Sequence, residues 1–375
     1  MNEEREKQLS RIVIKGFKSI KECELDLGNI NVLIGANGAG KSNFLSAFEL
    51  LEGVVGRSLA HYAGKKGIET LLYNGKEATD SILVELHFDE DSYSFELEWT
   101  ENNSLILRSE SLILDGKEML GDGGHSESTV FNKLLDLSIY DKNGLKLTKN
   151  VSNTFLQQLI KVYRFQNTTA SSNKKSEQSI SNDINLTSEG QNLAAFLYRL
   201  KRFYAEEYGD ILRATQLVAP FFDDFVLEPK ELNDEQIILK WRKKGCEDVF
   251  NAAQFSDGTL RFICLATLLL QPTELQPSTI IIDEPELGLH PFAITILAEM
   301  VKKTAVDKQV ILATQSVELL DNFNAENVIV VDHGEEGSEF KRLDGEAFEA
   351  WRKMWLDNDY TLGELWNMNT FGGRP

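Results

Sequence analysis

The sequence predicts an α/β fold, and three observations carry that reading. An apolar run, Ile30–Ile34, leads into a glycine-rich loop and then into an amphipathic stretch over residues 44–51 that reads as a helix. Farther on, Ile280, Ile281 and Ile282 stand in a row before Asp283 and Glu284. Such a run needs apolar cover on both faces, as in a central parallel strand. Between these landmarks, residues 81–88 and 93–99 alternate apolar and polar side chains, which predicts an antiparallel hairpin and hence a β subdomain.

The loop reads Gly35-Ala36-Asn37-Gly38-Ala39-Gly40-Lys41-Ser42, the pattern G-x-x-x-x-G-K-S in its required strand–loop–helix setting. Glycines let backbone N–H groups turn inward around an oligophosphate, and the helix start adds partial positive charge. Lys41 is expected to reach the outer phosphates and the Ser42 hydroxyl to ligate Mg²⁺. Asn37, Gly38, Ala39, Gly40, Lys41, Ser42 and Asn43 are the candidate nucleotide contacts.

Asp283 and Glu284 fall at the C-terminal end of their strand, where open α/β sheets bind ligands. Asp283 fits the acid that holds Mg²⁺ through its water shell. Glu284 fits the base that polarises an attacking water. A second helix start, Ser256-Asp257-Gly258-Thr259, precedes the apolar stretch 263–270. Ser256 or Asp257 would cap a helix there in any protein. Its place about twenty residues before the acid pair favours an anion-binding element.

The remaining elements follow from texture. Residues 11–17 and 23–27 read as strands, 104–114 as another, and 193–208 as a helix. Ile82, Val84, Leu86 and Phe88 share one face; Tyr93, Phe95, Leu97 and Trp99 share the other strand's inner face. The polar stretch 167–185 is a candidate mobile loop. Composition is that of an ordinary globular protein, 42% hydrophobic and 26% charged. No apolar run nears the ~18 residues of a membrane span. No secretory signal is visible at the N-terminus, and Cys23, Cys246 and Cys264 show no framework or metal spacing, so the cytoplasm is the expected compartment. His61, His87, His125 and His333 also lack metal spacing. A net charge of −20 opposes a chain that coats nucleic acid by itself.

The order of these motifs resembles the ABC-type ATPases of the RecF, SMC, Rad50 and OLD kind. Ser256-Asp257-Gly258-Thr259 looks like their signature motif, Asp283-Glu284 like their second acidic motif, and Glu286-Leu287-Gly288-Leu289-His290-Pro291 like their dimer-contacting loop. The opening run Ile14-Lys15-Gly16-Phe17-Lys18-Ser19-Ile20 is similar to the first strands of RecF-like and OLD-like proteins. Val162-Tyr163-Arg164-Phe165, residues 190–197, Gly363-Glu364-Leu365-Trp366 and Gly372-Gly373-Arg374-Pro375 look closest to the compact predicted ATPases called AAA15 or AAA21. The resemblance implies an ABC-type, RecF/SMC-head-like ATPase with a mixed central sheet, an antiparallel β subdomain and a helical lobe. Three parts are expected: an N-terminal ATPase lobe over 1–160, a helical lobe over 161–250, and a signature-bearing C-terminal lobe over 251–375.

In that class the signature motif touches the nucleotide of a second subunit, so the resemblance implies a homodimer, or a higher oligomer, closed around ATP and Mg²⁺. One chain with two anion-binding helix starts and one phosphate loop fits an isologous pairing. Where the class carries a switch histidine, this chain has Gln315. An amide can hydrogen-bond a γ-phosphate or a water but cannot carry a proton, so Gln315 is expected to sense rather than to shuttle. Capping of the following helix is the other use of that position. Gln166 is the candidate for the glutamine that joins Mg²⁺ to the helical lobe. Small ATPases of this resemblance accompany a nuclease or toxin in antiphage defence, which implies a switch acting on a separate effector. The alternative is a DNA-repair ATPase that grips duplex DNA directly; the missing heptads and the acidic balance weigh against it. A transporter subunit fits the 283–291 loop poorly.

Overall fold

Two six-stranded sheets organise the chain, and the computed structural model describes residues 8–130, 160–166, 178–230, 233–344 and 360–372. The mixed sheet runs in the order Gly337–Arg342, Val328–Gly334, Ile30–Ile34, Gln309–Thr314, Thr279–Asp283, Ile160–Tyr163. All its pairings are parallel except that of Gly337–Arg342 with Val328–Gly334. Its strands come from all three expected segments.

The unbroken apolar runs have a direct cause. Ile280 and Ile282 enter one core while Ile281 enters another. Val32 and Ile34 likewise face one way and Leu33 the other. Both faces of the sheet are covered, so no polar alternation survives. The second core fills the space between the mixed sheet and an antiparallel sheet ordered Ile20–Asp26, Arg11–Phe17, Ser81–Phe88, Asp91–Trp99, Leu105–Leu114, Lys117–Leu120. Alternation is kept there: Ile82 pairs with Leu97, Val84 with Phe95 and Leu86 with Tyr93, all buried. Trp99 sits only half-buried at the end of that row. Helix Lys41–Val55 lies in this core through Phe44, Leu45 and Phe48, so its start is held fixed relative to both sheets.

The first core is helical. Helices Leu193–Phe203, Ala205–Val218, Asp257–Leu270 and Pro291–Thr304 bury side chains in it. The single helix expected over 193–208 ends at Phe203, because Tyr204 leaves helical geometry at φ −138° and ψ 62°, and a second helix begins at Ala205. The lobe also contains short strands that propensity did not reveal. Phe222–Val226, Lys240–Lys243 and Val249–Asn251 form one small sheet; Pro229–Lys230, Asn233–Ile237 and Gln178–Ser179 form another. Of the expected mobile loop, 167–177 lies outside the described residues. Gln178 is anchored, its Oε1 accepting from the N–H groups of Ala194 and Ala195 at 2.9 and 3.3 Å. The last three residues, 373–375, also lie outside the described set. Among the described residues no helix is long and apolar enough to cross a membrane, and no group of three or more His, Cys, Asp or Glu could hold a metal.

One buried carboxylate fastens the far edge of the antiparallel sheet. Glu110, 3% exposed, accepts from Tyr93 Oη at 2.8 Å, from the Ser128 hydroxyl, and from the Thr129 and Val130 N–H groups at 3.1 Å. Removing the acceptor strands all four donors. Glu110→Ala is expected to lower unfolding free energy by about 3 kcal/mol in urea titrations; a loss under about 1 kcal/mol would contradict this assignment.

Candidate active site

Parallel register gathers the candidate residues at one edge. Ile34 pairs with Thr314, Ala313 with Asp283, and Ile282 with Tyr163. Four neighbouring strands therefore end together, and the segments that leave them are the phosphate loop, Gln315, Asp283-Glu284 and Arg164-Phe165-Gln166. Sequence alone placed the first three there and offered Gln166 of the fourth as a candidate. The fourth arrives through the pairing of Ile160–Tyr163 with Thr279–Asp283.

The phosphate loop is shaped by contacts a larger side chain would break. Gly40 has φ +120°, and a Cβ there would lie 2.0 Å from Ser338 Oγ. At Gly35 it would meet the Val331 carbonyl at 2.3 Å. Helix Lys41–Val55 starts with no side-chain cap, which leaves its first N–H groups to an external acceptor. The buried Lys41 turns back on the loop, its Nζ donating to the carbonyls of Gly35 at 2.5 Å and Ala36 at 3.0 Å. Burial pulls its pKa down, against the opposing pull of Glu284, Asp283 and Glu286. Asn37, Gly38 and Ser42 are exposed. Asn43 commits its amide to Ser19 Oγ at 2.7 Å, which in turn bonds Ser338 Oγ at 2.7 Å; Asn43 thereby ties the loop to the outer strand.

Asp283, 6% exposed, is gripped by Arg164 Nε at 2.9 Å. The same guanidinium pairs with Glu49 of the phosphate-loop helix. Glu284 adopts φ +46°, a left-handed conformation that costs about 1–3 kcal/mol in a non-glycine residue. Its N–H bonds the Ala313 carbonyl at 2.8 Å, and its Oε2 accepts from Gln166 Nε2 at 3.2 Å. Gln166 thus stands beside the second acid. The oxygen-only set of Ser42 and Asp283 is the chemistry that Mg²⁺ takes, and the uncapped helix start with Lys41 suits an oligophosphate.

Gln315 is exposed. The following helix, Val317–Leu320, is capped by Ser316, whose Oγ accepts from the Leu319 N–H at 3.1 Å. The backbone N–H of Gln315 reaches Glu286 Oε1 at 3.4 Å. Burial pushes Glu286 above the usual carboxylate range, partly offset by the Thr314 hydroxyl and nearby N–H groups.

Ser256 caps helix Asp257–Leu270, its Oγ 3.1 Å from the Thr259 N–H. Trp241 stacks on Phe255 at 4.5 Å and on Phe250 at 4.9 Å, which fixes the approach to that cap. A Cβ on Gly258 would sit 2.2 Å from the Gly288 carbonyl, so the 256–258 turn packs directly on the loop after the acid pair. Arg261, buried one turn later, donates from Nε to the Phe165 carbonyl at 3.2 Å and from Nη2 to the Gln166 carbonyl at 3.1 Å. Sequence reasoning missed Arg164, Arg261, Glu49 and Glu286 as parts of this site. A signal existed for Arg164: a cation directly after a strand-like segment, Ile160–Tyr163, in a sheet whose strand ends carry acids.

The fold relates the chain to the ABC-type ATPases of the SMC, RecF and OLD kind. A solved SMC head bound to the C-winged helix domain of ScpA superposes with a TM-score of 0.59, covering 92% of this chain and 99% of that one at 17% identity. Such an identity speaks for the fold alone. The chain belongs to the family described as "AAA domain, putative AbiEii toxin, Type IV TA system", matched over residues 30–321. Among curated proteins it is 31% identical to the OLD nuclease of Thermus scotoductus over 81 residues, 22% of this chain and 14% of that protein. It is 50% identical to the DNA replication and repair protein RecF of Vibrio campbellii over 44 residues, 12% of each. The chain therefore spans only a small part of the length of these curated relatives.

The raised pKa of Glu286 has a signed consequence. Its protonated form is favoured on folding, so this contribution to stability is present at low pH and lost as pH rises through the raised pKa. Glu286→Gln is expected to melt higher than wild type at pH 7, with the gap closing toward pH 4. A gap independent of pH would contradict this.

Proposed function

We propose that the protein is an ATP-binding and ATP-hydrolysing switch that pairs with a second copy around two Mg²⁺–ATP molecules and controls a separate effector. The observation that carries this reading is the convergence of Lys41, Asp283, Glu284 and the Gln166 segment on adjoining strand ends. Nucleotide binding falls to the 37–43 backbone and to Lys41, which exchanges its carbonyl partners for phosphate oxygens. A buried ammonium that already has weak neutral acceptors gains by that exchange. Ser42 and Asp283 would hold Mg²⁺, which supplies charge neutralisation on the phosphates. Gln166 belongs beside them through its bond to Glu284.

Glu284 takes the role of general base, orienting the attacking water and drawing its proton. Its left-handed backbone turns the carboxylate out of the strand line and places it within reach of Gln166. Gln315, free of capping duty, is placed to sense the outer phosphate by hydrogen bonding. Without a titratable group there, turnover is slow and the ATP-bound shape lasts.

Pairing follows from the second helix start. Gly258, two residues after Ser256, packs against the Gly288 carbonyl, and Leu287 of that loop and Phe292 beyond it are 45% and 51% exposed. Exposed apolar side chains beside an anion-binding turn suit a contact that forms only when nucleotide bridges two copies. The family description reads "putative AbiEii toxin, Type IV TA system". That supports a role beside toxin–antitoxin systems, and a separate nuclease or toxin partner in antiphage defence is the output we infer from the resemblance.

Lys41→Ala is expected to weaken ATP binding about a hundredfold by calorimetry, since a charge-assisted contact is lost; unchanged affinity would refute the loop assignment. Glu284→Gln is expected to keep ATP binding, to lose about 10²- to 10⁴-fold in turnover, and to accumulate a dimer during gel filtration in ATP. A variant that stays monomeric would sink the pairing.

A further inference from the structure

A cleft of about 720 Å³ opens between helix Lys41–Val55 and helix Leu59–Lys66, away from the phosphate loop's own turn. That volume lies within the usual range for small-molecule sites. Its lining includes Lys65, Lys66, Lys161 and His61, with the ring of Tyr62, against the carboxylates of Glu49 and Glu52. Gly53 and Gly56 keep one wall free of side chains. In a chain of net charge −20, this concentration of cations is unusual.

The charges around it are also unbalanced. Lys161 is tied to the Leu186 carbonyl at 2.6 Å. Glu49 is shared, with Lys66 at 3.9 Å on one oxygen and Arg164 on the other. Half-buried Lys18 stands close enough to Lys66 and Arg164 that their repulsion adds to burial in pushing its pKa down to about 8. Three cations thus crowd together, and two of them, Lys66 and Arg164, share the Glu49 carboxylate. An incoming anion would relieve that crowding.

We propose that this cleft is a second anion site, taking a small phosphorylated ligand on Lys65 and Lys66, and that its occupancy is read at Asp283 through Glu49 and Arg164. The link is a continuous chain of ion pairs, Lys66–Glu49–Arg164–Asp283. When a phosphate draws Lys66 away, Glu49 keeps a single partner and attracts Arg164 more strongly. The guanidinium then loosens from Asp283 and frees that carboxylate for the metal. The cleft is thereby an activating site, and this coupling rests on the proposed role of Asp283.

Inorganic pyrophosphate is a suitable probe, and Lys41→Ala weakens its competing site in the phosphate loop. Calorimetry on the Lys41→Ala chain is expected to show pyrophosphate binding, weakened at least about tenfold when Lys65→Gln and Lys66→Gln are added, because two charge-assisted contacts are removed. No binding to Lys41→Ala, or binding indifferent to the two lysines, would overturn the site. Coupling is read separately in the otherwise wild-type chain. Lys66→Gln should lower the Mg²⁺ concentration for half-maximal turnover about threefold and Glu49→Gln should raise it, as expected for partly exposed ion pairs. Shifts of the same sign, or none, would refute the coupling. A chain with no ATPase activity at all would strike the proposed function and leave the calorimetric result standing.

Discussion

Everything at the strand ends depends on one constraint, the parallel register of Ile30–Ile34, Gln309–Thr314, Thr279–Asp283 and Ile160–Tyr163. Parallel strands need cover on both faces. This chain supplies it with a helical core on one side and an antiparallel sheet on the other. A slip of one residue would turn Ile281 and its neighbours to the wrong core. It would also move Asp283 away from Arg164 and the phosphate loop away from both. Packing therefore fixes the position of charged groups that have little affinity for one another in water.

Those charged groups are held in pairs that a ligand can exchange. Lys41 rests on two carbonyls, Asp283 on Arg164, and Glu284 on Gln166. The Lys41 and Asp283 interactions keep buried polar groups satisfied, the Glu284–Gln166 bond is exposed, and in the proposed function each partner gives way to phosphate, metal or water. Arg261 joins the helix that follows Ser256 to the backbone on either side of the Phe165–Gln166 bond. The two helix starts are thus mechanically linked through the segment that bears Gln166.

Much of this was legible in the sequence, because the signals were local. The phosphate loop, the isoleucine strand and its acids, and the alternating hairpin each show their motif or period within a dozen residues. What stayed hidden required long-range pairing. Arg164 gains meaning only when Ile160–Tyr163 lies beside Thr279–Asp283, residues more than a hundred positions apart. The short strands of the helical lobe, such as Lys240–Lys243 with its charged faces, carry no period-two pattern. They are stabilised by the stacking of Trp241 on Phe250 and Phe255, which sequence does not announce. Tyr204 ends a helix where propensity alone would continue it.

The central claim is that each nucleotide is enclosed by the phosphate loop of one copy and the Ser256–Gly258 turn of another. Mixing two inactive variants tests it most directly. Lys41→Ala keeps an intact turn, and Ser256→Arg keeps an intact phosphate loop, so a mixed pair regains one complete site. With random pairing of equal amounts, half the pairs are mixed and carry one of two sites, so turnover should reach about a quarter of the wild-type value. Turnover no greater than the average of the two variants measured alone would contradict the account.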